Sequence, residues 1–200
     1  MSAGRNGEDG AMLIRRRADH VRMPWANGRG ETLELAIHPA GASLGTFDWR
    51  ISVATVSEPG PFSSLPGVDR VLLMLDDVDA VLQVDDERHT MRRFDQVAFS
   101  GDADVALIAV SAPAHDLNVM TRRGRWTARM RLVDLAAGVT GADAHALEAW
   151  LLVASGTAQV HDGTEIADLA ELDLVRLTRP MVITGSGHGV LIDLHQAQQT

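Results

Sequence analysis

Apolar and polar residues alternate along most of this chain, and the period of the alternation is two. In TLELAIHP (residues 32–39), Leu33, Leu35 and Ile37 share one face while Glu34 and His38 take the other, read as solvated. This is the spacing of a half-buried strand, not a helix. In FDWRISVATV, Phe47, Trp49, Ile51 and Val53 oppose Asp48, Arg50, Ser52 and Ala54. From Val71 the runs VLLML, AVLQV, QVAFS, VALIAVSA and LNVM are separated by DD, DDERHT and GDAD turns. AWLLVASGTAQVHDG, LDLVRL, MVITGSG and VLIDLH carry the pattern almost to the C-terminus. Short strands at this spacing predict an all-β barrel or sandwich. Upstream, MLIRRR predicts a short strand from Met12, and HVRMPWANGRG a loop broken by Pro24, Gly28 and Gly30. Residues 1–11 have no apolar period and read as a disordered, tag-like tail. Helices are expected only over residues 129–137 and 142–147.

The strand pattern also repeats. VLQVDD, FDQVAF and, after GDA, DVALIAV in the first half are matched by AQVHDG, LDLVRL and, after GSG, HGVLIDL in the second. Asp85 precedes Asp95 by ten residues, and Asp162 precedes Asp173 by eleven. Two copies of one β-unit predict a duplicated barrel.

Composition narrows the class. Two hundred residues with 46% hydrophobic side chains suffice for a sizeable core. There are no cysteines, which removes disulfides, thiolate chemistry and zinc-thiolate sites. All eighteen basic residues are arginine, so Schiff-base and Walker lysines are absent. A net charge of -9 argues against nucleic acid or an anionic membrane as partner. No run approaches a membrane span and no signal core opens the chain, so a cytoplasmic location is expected.

Against this background the polar residues in residues 27–70 stand out. Arg50 interrupts an alternating apolar segment, Ser52 follows on its side, and Asp69 and Arg70 open the next apolar run. A buried guanidinium requires partners or a ligand. If the aromatic face of FDWRISVATV packs outward, Arg50 lines a barrel interior; if not, it faces water. The loop SEPGPFSSLPG, rigid with three prolines and two glycines around Phe62, is suited to framing a pocket mouth. A second polar cluster, FSGDAD and HDLNVM, sets Asp102, Asp116 and Asn118 beside strand ends. Asp102 and Asp104 are ordinary turn residues in type, whereas Asn118 sits inside an apolar run. None of the eight histidines forms the HxH pair that a barrel metal site of the cupin type requires, so no metal and no cofactor are expected. GxSxG and HExxH are absent as well.

Taken together, MPWANGRGET, FDWRISVATVSEPGPFSSLPGVDRVLLML, FSGD and DLNVMTRRG resemble the HutD/Ves family over residues 23–124. The resemblance implies a metal-less, duplicated cupin-type double-stranded β-helix (bicupin), with residues 12–124 as an N-terminal half carrying the motifs and 125–200 as a C-terminal half. It also implies an association with histidine utilisation, through limiting or sensing an intermediate such as formylglutamate, and no firm enzymatic activity. The family motifs fall on Asn27, Gly28, Arg50, Ser52, Phe62, Ser63, Asp69, Arg70, Phe99, Gly101, Asp102, Asp116 and Asn118. Arg50 and Arg70 would fork onto a carboxylate, and Asn27, Ser52 and Asn118 would read a formyl or amide group. Arg29, DDVD at 76–79 and SAPA at 111–114 depart from the pattern, the first at the pocket entrance.

Three functions follow as expectations. The leading one is metal-independent binding of a small anionic metabolite. The second is an isomerase or hydrolase using Asp69, Asp102 or His115 as acid or base. The third is a structural or protein-interaction role in which Arg50, Arg70, Asp69 and Asp102 form an ion-pair network. An exposed edge strand could pair two copies into a homodimer, although no stretch singles itself out.

Overall fold

The computed structural model describes residues 12–25, 30–140, 145–178 and 181–197. The expected tail, together with Asn27, Gly28 and Arg29, lies outside them. The described chain is built from strands. The first ten are β1 (Ile14–Arg15), β2 (Val21–Pro24), β3 (Gly30–His38), β4 (Trp49–Val56), β5 (Gly60–Pro61), β6 (Val68–Met74), β7 (Ala80–Val84), β8 (Glu87–Met91), β9 (Gln96–Ser100) and β10 (Val105–Val110). They are followed by β11 (Ala114–Arg122), β12 (Trp126–Asp134), β13 (Val139–Thr140), β14 (Glu148–His161), β15 (Ile166–Ala170), β16 (Leu174–Arg176) and β17 (Val182–Gln196). The single helical element among the described residues is the 3-10 turn Arg17–Asp19.

Three sheets result. β2-β3-β4-β11-β6-β9 faces the four-stranded β5-β10-β7-β8 across an apolar core that includes Leu72, Met74, Leu82, Val105 and Leu107. The remaining strands form a seven-stranded sheet, β1-β16-β14-β17-β12 with β13 and β15 attached, wrapped around Leu151, Val153, Val160, Leu169, Ile183 and Leu191. β1 joins it by pairing with β16, so the first described strand belongs to the sheet of the chain's last third.

The pairing scheme occurs twice. β6 and β7 together correspond to the single long strand β14, β9 to β16, β10 and β11 to the two ends of β17, and β4 to β12. The turn before β9 and the turn before β16 match bond for bond. Phe94 N–H donates to Met74 O at 2.7 Å and Leu172 N–H to Val153 O at 2.9 Å. Asp95 and Asp173 then each accept from a backbone amide three residues upstream, Arg92 and Ala170. Both turns place a bulky residue at positive φ, 68° at Phe94 and 66° at Leu172. That backbone is unfavourable for such side chains, and its recurrence at the aligned FD and LD pairs is strong evidence of duplication. The fold is a bicupin.

Four local expectations are corrected. Residues 129–137 are not helical: β12 pairs with β17 over nine positions as far as Asp134 and buries Met130, so sheet pairing overrides the helix propensity of Arg129, Met130, Arg131 and Leu132, and residues 135–137 form a turn. Of the other expected helix, residues 142–144 lie outside the described residues and 145–147 lead into β14 as a turn. The loop expected before Gly30 contains β2, an edge strand whose last residue is Pro24, where a missing N–H is tolerated. The charged DDERHT turn contains β8, whose polar side chains suit the edge of the four-stranded sheet. No helix among the described residues is long and apolar enough to cross a membrane.

Candidate functional site

In β4, Trp49, Ile51 and Val53 turn toward the second half of the molecule, where they pack with Trp126, Trp150, Leu152 and Ile192. Their alternates Arg50 and Ser52 therefore turn into the first barrel. β11 and β6 do the same with Asp116, Asn118 and Arg70. Register places these residues in three rows across the sheet. One row reads Ile37, Arg50, Met120, Arg70, Phe99; the next Glu34, Ser52, Asn118, Leu72; the third Thr32, Ala54, Asp116, Met74. Arg50, Ser52, Arg70, Asp116 and Asn118 are all buried, Arg50 to 3%, Arg70 to 5% and Asp116 to 1% exposure.

Each guanidinium is fixed by specific contacts. Arg50 Nε donates to Glu34 Oε2 at 2.8 Å, and Nη1 to Ser52 Oγ at 3.2 Å. Arg70 Nε donates to Asn118 Oδ1 at 3.2 Å, and Nη1 reaches the Ser63 carbonyl at 3.5 Å. The Arg70 guanidinium lies between two rings, 5.2 Å from the Phe62 centroid and 4.9 Å from that of Phe99, an arrangement suited to a planar, weakly hydrated cation. Asn118 Nδ2 in turn donates to Asp116 Oδ1 at 3.0 Å. Neither Nη2 has a partner among the described residues. Two forked donors in one row, separated by a single strand, can converge on one small anion.

Electrostatics reinforce this picture. Burial lowers the Arg70 pKa to about 10, with Asp116 acting in the opposite sense and the like charge of Arg50 adding to the decrease. Burial pushes Asp116 up to about 6, against the Asn118 hydrogen bond and the attraction of Arg70 and His115.

Of the residues singled out in the sequence, Arg50, Ser52, Phe62, Ser63, Arg70, Phe99, Asp116 and Asn118 come together, Ser63 through its carbonyl. Asn27 and Gly28 lie outside the described residues. Asp69 and Asp102 do not join the cluster. Both bind Arg123 at 2.8 Å on the surface, where Arg123 also reaches Ser100 Oγ. The Arg123 hydrogen bond, then those of Ser100 and the Gly67 amide, hold Asp102 below the usual carboxylate value. The expected network of Arg50, Arg70, Asp69 and Asp102 is therefore two separate networks. His115 is engaged by Asp76 at 2.8 Å. Glu34, read as solvated, is the ion-pair partner of Arg50, and His38, read the same way, stacks on Trp49 with centroids 5.5 Å apart. A bulge in β3 after Glu34 sends Leu35 and Ala36 to the inter-half core and Ile37 to the other face, so the simple alternation fails there.

The duplication provides an internal comparison. With Met74 matched to Val153 by the turn hydrogen bonds, Arg70 corresponds to Ala149, Asp116 to Gly189 and Asn118 to Leu191. At these three positions the second half is apolar; the charge it buries in the corresponding rows is instead Asp193, matched to Met120 and paired with Arg131 at 2.9 Å. Among the described residues no three His, Asp or Glu side chains are grouped as metal ligands would be.

The family model HutD matches residues 17–192. The protein Ves of Citrobacter koseri is 38% identical over 121 residues, 58% of this chain and 62% of Ves, so the match spans less than two thirds of that relative's length. A 21.2 kDa protein in the hutC 3′ region of Pseudomonas putida is 32% identical over 168 residues, covering 83% of this chain and 86% of the relative. Among solved structures, HutD from Pseudomonas fluorescens SBW25, in a formate condition, superimposes with a TM-score of 0.79 at 29% identity, covering 94% of this chain and 100% of that one. A cupin 2 conserved barrel domain protein from Leptotrichia buccalis superimposes with a TM-score of 0.54 at 9% identity, covering 81% and 87%, and shares the fold alone.

Proposed function

The chain belongs to the HutD family, and from that premise we propose that it binds a small carboxylate metabolite of the formylglutamate type without a metal and thereby modulates histidine utilisation. The observation that carries this reading is the pair of buried guanidiniums, Arg50 and Arg70, each with an Nη2 that no described residue engages. The carboxylate would bridge the two Nη2 groups. The Ser52 hydroxyl and the Asn118 amide, already oriented by Arg50 and Arg70, would meet the ligand's formyl or amide group. The relative from the hutC 3′ region and the HutD structure in a formate condition are consistent with both parts of the proposal.

Binding is favoured over catalysis by the placement of the candidate acids and bases. Asp69 and Asp102 are exposed and committed to Arg123, and His115 to Asp76. The test is thermal unfolding against formylglutamate, formiminoglutamate, glutamate, urocanate and formate, each with and without a chelator. A ligand at about a hundred times its Kd contributes about 2.7 kcal/mol, a shift of several degrees for a protein of this size. A selective, chelator-insensitive shift is the expected result. Absence of a shift with every compound would contradict the proposal.

A further inference from the structure

The buried cluster is already balanced in charge before an anion arrives, and this balance decides how one can enter. Arg50 and Arg70 contribute two positive charges, and Glu34 and Asp116 two negative ones. A carboxylate added beside the two guanidiniums leaves one unbalanced negative charge among buried side chains, a costly state. The two acidic groups differ in how tightly a cation holds them. Glu34 touches Arg50 directly at 2.8 Å and is partly open to solvent. Asp116 is almost fully enclosed, and its hydrogen-bond partner is the neutral Asn118 amide at 3.0 Å.

The groups facing Asp116 are few. From β6 comes Arg70, from β4 Arg50 and Ser52, and from β3 Glu34 and Thr32. The opposing sheet contributes apolar side chains such as Leu82 and Leu107. On its own strand, His115 points to the other face and is held by Asp76. An anion docked on Arg70 therefore weakens one of the attractions that favour ionised Asp116, leaving the Asn118 hydrogen bond and the more remote His115, and adds a repulsion.

Resting on the anion-binding reading above, we infer that Asp116 sets the specificity of the arginine pair by taking a proton from solvent with each bound carboxylate. The site thus accepts one negative charge and discriminates against ligands that place two charges inside the barrel. The raised pKa of Asp116 in the free protein, about 6, brings this protonation within reach near neutrality. Asn118 Nδ2 can go on donating to the carbonyl oxygen of the protonated Asp116 while its Oδ1 keeps accepting from Arg70 Nε.

The experiment is calorimetric titration of the full chain with formate and with malonate between about pH 5.5 and about pH 8, in buffers of different ionisation enthalpy. Formate binding is expected to take up close to one proton at about pH 7.5. Its Kd should weaken above about pH 6 by up to about tenfold per pH unit, and malonate should bind at least about tenfold more weakly than formate. In Asp116→Asn the pH dependence should vanish, and formate should bind more tightly than to the wild type at about pH 8. Wild-type formate affinity that is flat between about pH 6 and 8, with no proton uptake, would overturn the role of Asp116 while leaving the anion site standing. Failure of formate to bind at any pH would overturn the anion site itself, and this inference with it. The proton count is taken on the wild type, so the test survives if the variant fails to fold.

Discussion

Arg70 combines three environments that a lysine could not satisfy together: two aromatic faces, a side-chain amide and a backbone carbonyl. Its planarity is what allows them to coexist. Arg70→Lys is therefore expected to keep the charge yet lose ligand affinity by about tenfold or more, measured by calorimetry on a variant whose circular dichroism is unchanged. Asp116 carries a second residue-scale prediction. Its folded pKa of about 6 lies above the ordinary value of 3.8, so the protonated form is the one that favours folding. The corresponding stability is fully present below about pH 4 and lost as pH rises through about 6, where the ionised group costs on the order of 3 kcal/mol. Asp116→Asn should therefore raise the melting temperature at about pH 7.5 by several degrees and confer little advantage at about pH 4. An equal difference at both pH values would contradict the assignment. Arg50, Ser52, Arg70 and Asn118 were legible in the sequence because charge and amide appear where alternation calls for aliphatics. Asp69 was misplaced for a reason the same alternation supplies: neighbours on a strand point to opposite faces, so Asp69 and Arg70 cannot share a cavity. Glu34 was missed because an acidic residue on an alternating strand reads as solvated until the facing Arg50 is known.

At the scale of elements, the segment between β4 and β6 acts as a strap over the end of the barrel that holds Arg70. It is pinned where Leu65 N–H donates to Gly101 O at 2.8 Å and Gly101 N–H to Val68 O at 2.7 Å. A Cβ at Gly101 would collide with the Leu65 carbonyl oxygen, so the glycine of FSGD is there for close backbone approach. Gly101→Ala is expected to cost about 1–3 kcal/mol in denaturant unfolding and to weaken ligand binding, because the strap carries Phe62 and Ser63 against Arg70. Normal affinity in a destabilised Gly101→Ala protein would separate the strap from the site. The strands themselves were readable from their period, but the β3 bulge was not, since an extra residue in one strand is defined only by its partner. The sheet fate of residues 129–134 was hidden for the same reason: β12 is specified by its ladder with β17, at the far end of the chain.

Across the whole molecule, one core joins the two halves. Trp49, Ile51 and Leu117 from the first pack with Trp126, Trp150 and Ile192 from the second, while each barrel keeps its own interior cluster. Such a shared core predicts a single calorimetric transition with equal van't Hoff and calorimetric enthalpies, and two resolved transitions would contradict it. The second half is apolar where the first has Arg70, Asp116 and Asn118, and its buried Asp193 is neutralised by Arg131, so it is the pair of buried guanidiniums that distinguishes the first half and marks it as the site. The most direct measurement is isothermal titration of formylglutamate into the wild-type chain and into Arg50→Met, with folding of the variant checked in parallel. One ligand per chain for the wild type, and a loss of about a hundredfold or more in a folded Arg50→Met, is the predicted result. Unchanged affinity in the variant would remove the buried arginine row from the site.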